Sequence, residues 1–412
     1  MRLGVMFWSP DPTYDIANHI TAHDSMVTSE KELQEVISTY ASKPLLEGRP
    51  PWQIIIINST TQSTVLFRFK HTVSDGIALA RLFMEKIVDE GVELPMTVKP
   101  HRATDKLTSM HYILKTLALL ADLPWLIMTL FKTPADKHAL HGSKLSGQKH
   151  ISWSKAVDLG AVKEIKNREG ATVNDVIVAA ACEAISRYLH AKGENVDRNI
   201  TVFIPASLRS ANGPLTLENH LGIIPAQLSL SHKHNFLQRL QLVKKRFDKM
   251  KNASTPFVCG VIQSVLCTIL PPWLMNFILD NITDRGTAIV SNVPGPNRGL
   301  TLGGKNITDM MFFVPCRASV GIGVSIISYY NKVQIGIVTD SVLVTKPCEI
   351  TDLFHQVIER ETGSATKHPE NGVDGATKVI NNNIIMSFKN EATAENISKN
   401  GPIIPNLSDG LK

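Results

Sequence analysis

"STVLFRFKHTVSDGIALARLFMEKI", residues 63–87, changes its period halfway along, and that change decides the fold class. Up to His71 the residues alternate. Val65, Phe67, Phe69 and His71 fall on one face, and Leu66, Arg68 and Lys70 on the other, which is the pattern of a strand. After Asp75 and Gly76 the apolar positions Leu79, Leu82, Phe83 and Ile87 recur at helical intervals. A strand therefore closes at a histidine, and a helix opens after a tight turn in which Gly76 is available for positive φ. Alternation puts His71 on the apolar, inward face and Lys70 on the opposite one. Burial disfavours the imidazolium, so a histidine held there stays neutral and able to accept a proton. The pattern H-x-x-x-D is common by chance in a chain with 14 histidines. A hydrogen-bonded core histidine and a catalytic base both remain open readings for His71. Asp75 either orients His71 or holds the loop by pairing with an arginine, and the structural role is preferred.

Working outward, residues 28–41 carry Leu33, Val36 and Ile37 at helical spacing, and "PLLEGRPPW" (44–52) follows as a turn-rich connector. "QIIIINS" (53–59) is a second strand leading into the first. Beyond residue 150, "TVNDVIVAAACEAISRYL" (172–189) reads as a helix with Thr172 as N-cap and Asp175 three residues on, a capping-box variant. Strands follow at 200–208, 222–230, 288–293, 319–330 and 333–340, the last two joined at Asn331-Lys332, and a helix at 349–361 closes the fold. This mixture of elements predicts an α/β (α+β) protein. The expected domains are 1–132 and 151–365, with a polar linker over 133–150 and a disordered tail over 366–412, where the chain turns rich in Asn, Lys and Gly.

The 412 residues are 43 % hydrophobic and 19 % charged, enough to bury a substantial core. The net charge of +6 suits an anionic partner, but no block of Lys and Arg is dense enough to favour nucleic acid. Five scattered cysteines, with no C-x-x-C pair, indicate a reduced, intracellular setting. The first 15 residues lack the apolar core of a signal peptide. Two stretches, 111–131 and 265–279, are strongly apolar. Each is interrupted, by Lys115, Asp122 and Pro124 in one and by Pro271-Pro272 in the other, so each reads as short helices that either dip into a lipid surface or lie buried.

Other candidate residues weigh less. Asn174 and Asp175 open a helix, where capping explains them more simply than substrate contact. "SNVPGP", with Ser291, Asn292, Pro294 and Gly295, ends a strand in a rigid turn. "GLTLGGKN" (299–306) fails as a phosphate-binding loop, because Asn306 replaces the required hydroxyl and no apolar strand runs into Gly299. His138/His141 and His232/His234 lack the acidic or thiol partners of a metal site, and no metal is expected.

Taken together, "PLLEGRPPW", "KHTVSDG", "TVNDVIVAA", "IPASLR" and "SNVPGP", in this order over residues 8–362, resemble the wax ester synthase/acyl-CoA:diacylglycerol acyltransferase family. That family falls within the CoA-dependent acyltransferases that carry H-H-x-x-x-D-G. The resemblance implies two chloramphenicol-acetyltransferase-like domains, each a mixed sheet flanked by helices, with a tunnel at their junction. It implies a general base at His71, a loop-shaping aspartate at Asp75, and binding or structural roles for Gly76, Asn174, Asp175, Ser291, Asn292, Pro294 and Gly295. Arg209, in "SLRS", is the expected partner of Asp75. Implied too are acyl-CoA as substrate with no cofactor, a long-chain alcohol or diacylglycerol as acceptor, and an intracellular membrane or lipid-droplet surface. Two departures stand out. Lys70 occupies the place of the family's first histidine, and Met1 falls where relatives are already inside their first domain. An opening strand and helix are therefore expected to be missing, and a catalytically impaired or truncated homologue that only binds acyl-CoA or lipid is the alternative reading.

Overall fold

The computed structural model describes residues 10–60, 62–92, 135, 136, 138–142, 144–194, 196–209, 213–252, 269–363 and 385–389. Two mixed sheets organise it. The smaller has the order β1-β2-β3-β13, built from Ile20–Ala22 (β1), Trp52–Asn58 (β2), Gln62–Phe69 (β3) and Ile385–Lys389 (β13). β1 runs parallel to β2, and the other pairs are antiparallel. The larger sheet has the order β4-β12-β11-β8-β6-β7. Its strands are Lys149–Trp153 (β4), Asn199–Ser207 (β6), Leu221–Ser229 (β7), Ala288–Val293 (β8), Ile322–Tyr329 (β11) and Lys332–Asp340 (β12), the short Val157–Asp158 (β5) also pairs with β12, and Thr301–Leu302 (β9) and Lys305–Asn306 (β10) form a separate antiparallel pair. β8 lies parallel to both β6 and β11. The fold is thus α/β with two domains whose mixed sheets are flanked by helices, as expected.

The large sheet is buried on both faces, and strand alternation divides its residues between two cores. Val333, Ile335 and Ile337 of β12, with Ile322, Val324 and Ile326 of β11, face the helices Leu159–Arg168 (α3), Val173–Ala191 (α4), Phe236–Asn252 (α5) and Cys348–Thr362 (α7). On the opposite face, Val338, Ile327, Tyr329, Ile151 and Trp153 pack with Ile55, Leu66, Phe67, Phe83 and Met84 of the N-terminal domain. The second core is therefore shared, and neither domain encloses it alone. Gly323 is required here: a Cβ would lie 2.6 Å from the Val314 side chain and 2.8 Å from its carbonyl oxygen.

The junction is a helix laid along a strand edge. Glu30–Ser42 (α1), capped by Ser29, presents Ser38 and Ser42 one turn apart. Their hydroxyls accept the Ile151 and Lys149 amides at 3.0 and 2.9 Å. One helical turn matches the two-residue repeat of β4, so α1 covers an edge that would otherwise be open.

Two expectations change. The described residues of the 133–150 linker form an ordered strap, not a spacer: Asp136 accepts the Thr201 amide at 2.9 Å, Leu140 is buried, and Asp340 accepts the Ser146 and Gly147 amides at 3.0 and 2.8 Å. β4 begins at Lys149, within the expected linker. The expected disordered tail supplies β13, which closes the free edge of β3. Asn-rich composition around it conceals a five-residue strand. The apolar stretch 111–131 lies outside the described residues, as do 265–268. Of the second stretch, Pro272–Thr283 is a helix (α6), and among the described residues no helix is long and apolar enough to cross a membrane.

Candidate active site

β3 stops at Phe69, two residues before His71, because its partner begins at Trp52 after Pro50 and Pro51, and proline offers no amide to continue a ladder. The Lys70 amide instead donates to the Pro51 carbonyl at 2.9 Å, and the Lys70 carbonyl accepts the Val73 amide at 2.9 Å. His71 therefore sits in a turn and is half-buried, not on the inward face of a strand. Lys70 is exposed. Among the described residues nothing hydrogen-bonds the His71 imidazole. Its main-chain carbonyl accepts the Asn219 side-chain amide at 2.9 Å.

Asp75 is the fixed point of the turn. One carboxylate oxygen accepts the Ala78 amide at 2.9 Å and caps Gly76–Leu82 (α2). The other accepts Arg209 Nε at 3.1 Å, Arg209 Nη2 at 2.9 Å and the His220 amide at 2.9 Å. Asp75 and Arg209 side chains are 3 % and 5 % exposed, so the pairing expected from sequence is a buried, charge-assisted one. Asp75 thus orients the loop, not the His71 ring.

Sequence reasoning missed the rest of this clamp. Between Ser207 and Leu221 the described residues 208, 209 and 213–220 fold over the histidine turn. Arg209 also donates to Thr216 at 3.1 Å and to the Glu218 carbonyl, which accepts the Ser74 hydroxyl at 3.1 Å. Arg81 of α2 donates to the Gly213 carbonyl at 3.1 Å. Loop length was the available signal, since thirteen residues between paired strands exceed an ordinary hairpin connection.

The other candidates form a second cluster. Asn292, at the end of β8, donates to the Asn174 side chain at 2.8 Å. Asp175 completes the capping box with Thr172, accepting the Thr172 amide at 2.8 Å while the Thr172 hydroxyl accepts the Asp175 amide at 3.2 Å. Capping thus helps to place Asp175, and Asn174 beside it meets Asn292. Gly295 approaches β11 so closely that a Cβ would lie 1.9 Å from the Ser328 carbonyl oxygen. Its amide donates to the Ser328 hydroxyl at 3.2 Å, and Pro294 stiffens the same turn beside it. Ser291 pairs across to Ser325 in the β8–β11 ladder. α2 packs against β8, which joins the two clusters, although among the described residues no hydrogen bond passes directly between them. Burial raises the Cys182 thiol to about 11, so it holds no thiolate nucleophile at neutral pH.

Two family profiles match the chain: "Wax ester synthase/diacylglycerol acyltransferase catalytic domain" over residues 1–118 and "WS/DGAT C-terminal domain" over residues 217–360. A probable diacylglycerol O-acyltransferase of Mycobacterium tuberculosis is 24 % identical over 361 residues, covering 82 % of this chain and 77 % of the relative. The O-acyltransferase WSD of Acinetobacter baylyi is 23 % identical over 369 residues, covering 82 % and 79 %. The fold is similar to that of the wax ester synthase/diacylglycerol acyltransferase from Marinobacter aquaeolei VT8, with a TM-score of 0.60 at 19 % identity, over 88 % of this chain and 84 % of that one. Fold and matches together define an acyltransferase. The chain belongs to the wax ester synthase/diacylglycerol acyltransferase family.

Proposed function

We propose that this chain moves a long-chain acyl group from acyl-CoA to a fatty alcohol or to diacylglycerol, with His71 as general base and no other cofactor. A ring nitrogen of His71 takes the alcohol proton as the oxygen attacks the thioester carbonyl. The carbon–sulfur bond breaks, and the CoA sulfur leaves with the proton returned by the imidazolium. General-base help of this kind contributes about 10²- to 10⁴-fold in rate. The observation that carries the reading is the clamp: Asp75, Arg209 and Asn219 immobilise the turn by its backbone and leave the imidazole of His71 unoccupied. Asn174 and Asn292 line the acceptor side in this proposal. The test is ester formation from labelled palmitoyl-CoA with hexadecanol and with diacylglycerol. His71→Ala is expected to lose at least about a hundredfold in kcat while keeping its circular dichroism. An unchanged rate would remove His71 from the mechanism. A folded wild type that binds palmitoyl-CoA without turnover would instead support the binding-only homologue, for which the exposed Lys70 in place of a histidine argues.

We also propose that the enzyme meets its lipid substrates at a membrane or lipid-droplet surface inside the cell. Ile269 is 72 % exposed, and Trp273 and Phe277 of α6 are 69 % and 61 % exposed. Four-residue spacing puts Trp273 and Phe277 on one face of α6, the arrangement of an interfacial helix. Trp273→Ala/Phe277→Ala is expected to weaken sedimentation with phosphatidylcholine vesicles about tenfold or more, each buried aromatic contributing roughly 1.5–3 kcal/mol. Equal sedimentation would exclude this face as the contact.

A further inference from the structure

At the far end of the β6–β7 ladder lies a pocket of about 240 Å³ between β7 and α5. Its floor is Leu228 and Val243, and its rim carries Lys245, Arg246 and Lys249 with Gln227 beside them. Asn199 pairs with Ser229 at this end, and Ser207 with Leu221 at the end next to Arg209. Eight strand steps of about 3.3 Å separate the pocket from the histidine clamp by roughly 26 Å. It is therefore distinct from the candidate active site, and a ligand bound there is independent of the proposed reaction.

Three cations converge here, and among the described residues no acidic side chain lines the pocket. Among the described residues, no ion pair or hydrogen bond engages Lys245, Arg246 or Lys249 through their side chains. Arg246 Nε is buried without an acceptor, although buried N–H groups nearly always have one. The Gln227 side chain donates from Nε2 to the Thr201 hydroxyl at 2.6 Å, and its oxygen makes no hydrogen bond with Arg246 Nε. An unpaired guanidinium fork flanked by two ammonium groups matches a dianion with several oxygens better than a single carboxylate. The volume is below the roughly 300–1,000 Å³ of pockets that enclose whole drug-sized ligands. It suits a head group, not an acyl chain.

We propose that this pocket binds a phosphomonoester, with the Arg246 guanidinium as the donor that selects it and Lys245 and Lys249 as the flanking charges. The phosphate belongs either to a soluble metabolite or to a phosphatidic-acid head group, and the experiment separates the two. Calorimetry on the full chain would use inorganic phosphate and glycerol 3-phosphate. Sedimentation would use phosphatidylcholine vesicles with and without phosphatidic acid, on wild type, Arg246→Gln and Lys245→Gln/Lys249→Gln. Binding that weakens with added salt and falls about tenfold or more in each variant is expected, the scale of a lost charge-assisted hydrogen bond. Response to the soluble esters alone assigns a metabolite, and response to phosphatidic acid alone assigns a head group. If Arg246→Gln does not fold, the double variant, both of whose lysines are exposed, carries the test alone. The proposal is overturned if folded wild type binds no millimolar phosphate ester and no acidic vesicle, or if every folded variant binds as tightly as wild type.

Discussion

At the scale of single residues, the decisive pair is Asp75 and Arg209. Both are buried, and removing one partner of such a pair leaves an uncompensated charge. Arg209→Met should therefore lower unfolding free energy by about 3–5 kcal/mol, seen as an earlier midpoint in urea at unchanged slope. Arg209→Lys should fall between, because an ammonium keeps the charge but cannot reproduce the two contacts of the fork. This pairing was legible from sequence, since a buried aspartate at a turn requires a cation and Arg209 follows an apolar strand. Asn219 was not. It acts on a backbone carbonyl of His71, 148 positions away, and a contact to backbone leaves no signature in the residue contacted.

At the scale of elements, alternation located β2, β3, β11 and β12 well but misjudged where β3 ends. A strand's own residues do not determine its last paired position. Pro50 and Pro51 on the neighbouring strand do, and they move His71 from a buried face into a half-buried turn. The β11–β12 hairpin shows the same limit. Its turn residues are Tyr330 and Asn331, at φ of 46° and 62°, one position earlier than the sequence suggested. Both left-handed positions of this two-residue loop favour Asn-Gly. Tyr330 holds such a conformation at a cost of about 1–2 kcal/mol. The double change Tyr330→Asn/Asn331→Gly is therefore expected to stabilise the protein by about 1 kcal/mol, measured as a rise in thermal midpoint. A fall would mean that the Tyr330 ring, packed near Tyr329, contributes more than the strain it carries.

At the scale of the whole molecule, parts that composition described as spacer and tail are built into the two sheets. β13 closes one sheet, α1 covers the edge of the other, and the strap before β4 crosses the large sheet from Thr201 to Asp340. None of these pairings is local, so no window of sequence contains both partners. The strap also makes stability depend on pH. His138 donates from Nε2 to the Thr287 hydroxyl at 2.8 Å and accepts the Leu140 amide at Nδ1 at 3.2 Å, while Thr287 donates to Asp136 at 2.6 Å. Burial lowers the His138 pKa below 6.5, and the Asp136 charge opposes this without overcoming it. The folded protein thus binds a proton less readily than the unfolded chain. Stability from this group is complete above pH 6.5 and is lost as pH falls from there toward the folded pKa. Asp340 acts in a lower window. Burial pushes its pKa up, but the hydrogen bonds from Ser146, Gly147 and Val342 together hold it below 3.8, so its contribution persists until pH falls through that lowered value. Urea unfolding of wild type and His138→Gln at successive pH values should therefore give parallel curves above pH 7 that diverge below about 6.5. There the wild type should lose up to about 1.4 kcal/mol more per pH unit, the slope of one proton. Curves that remain parallel to pH 5 would show that the strap takes up a proton at His138 without opening.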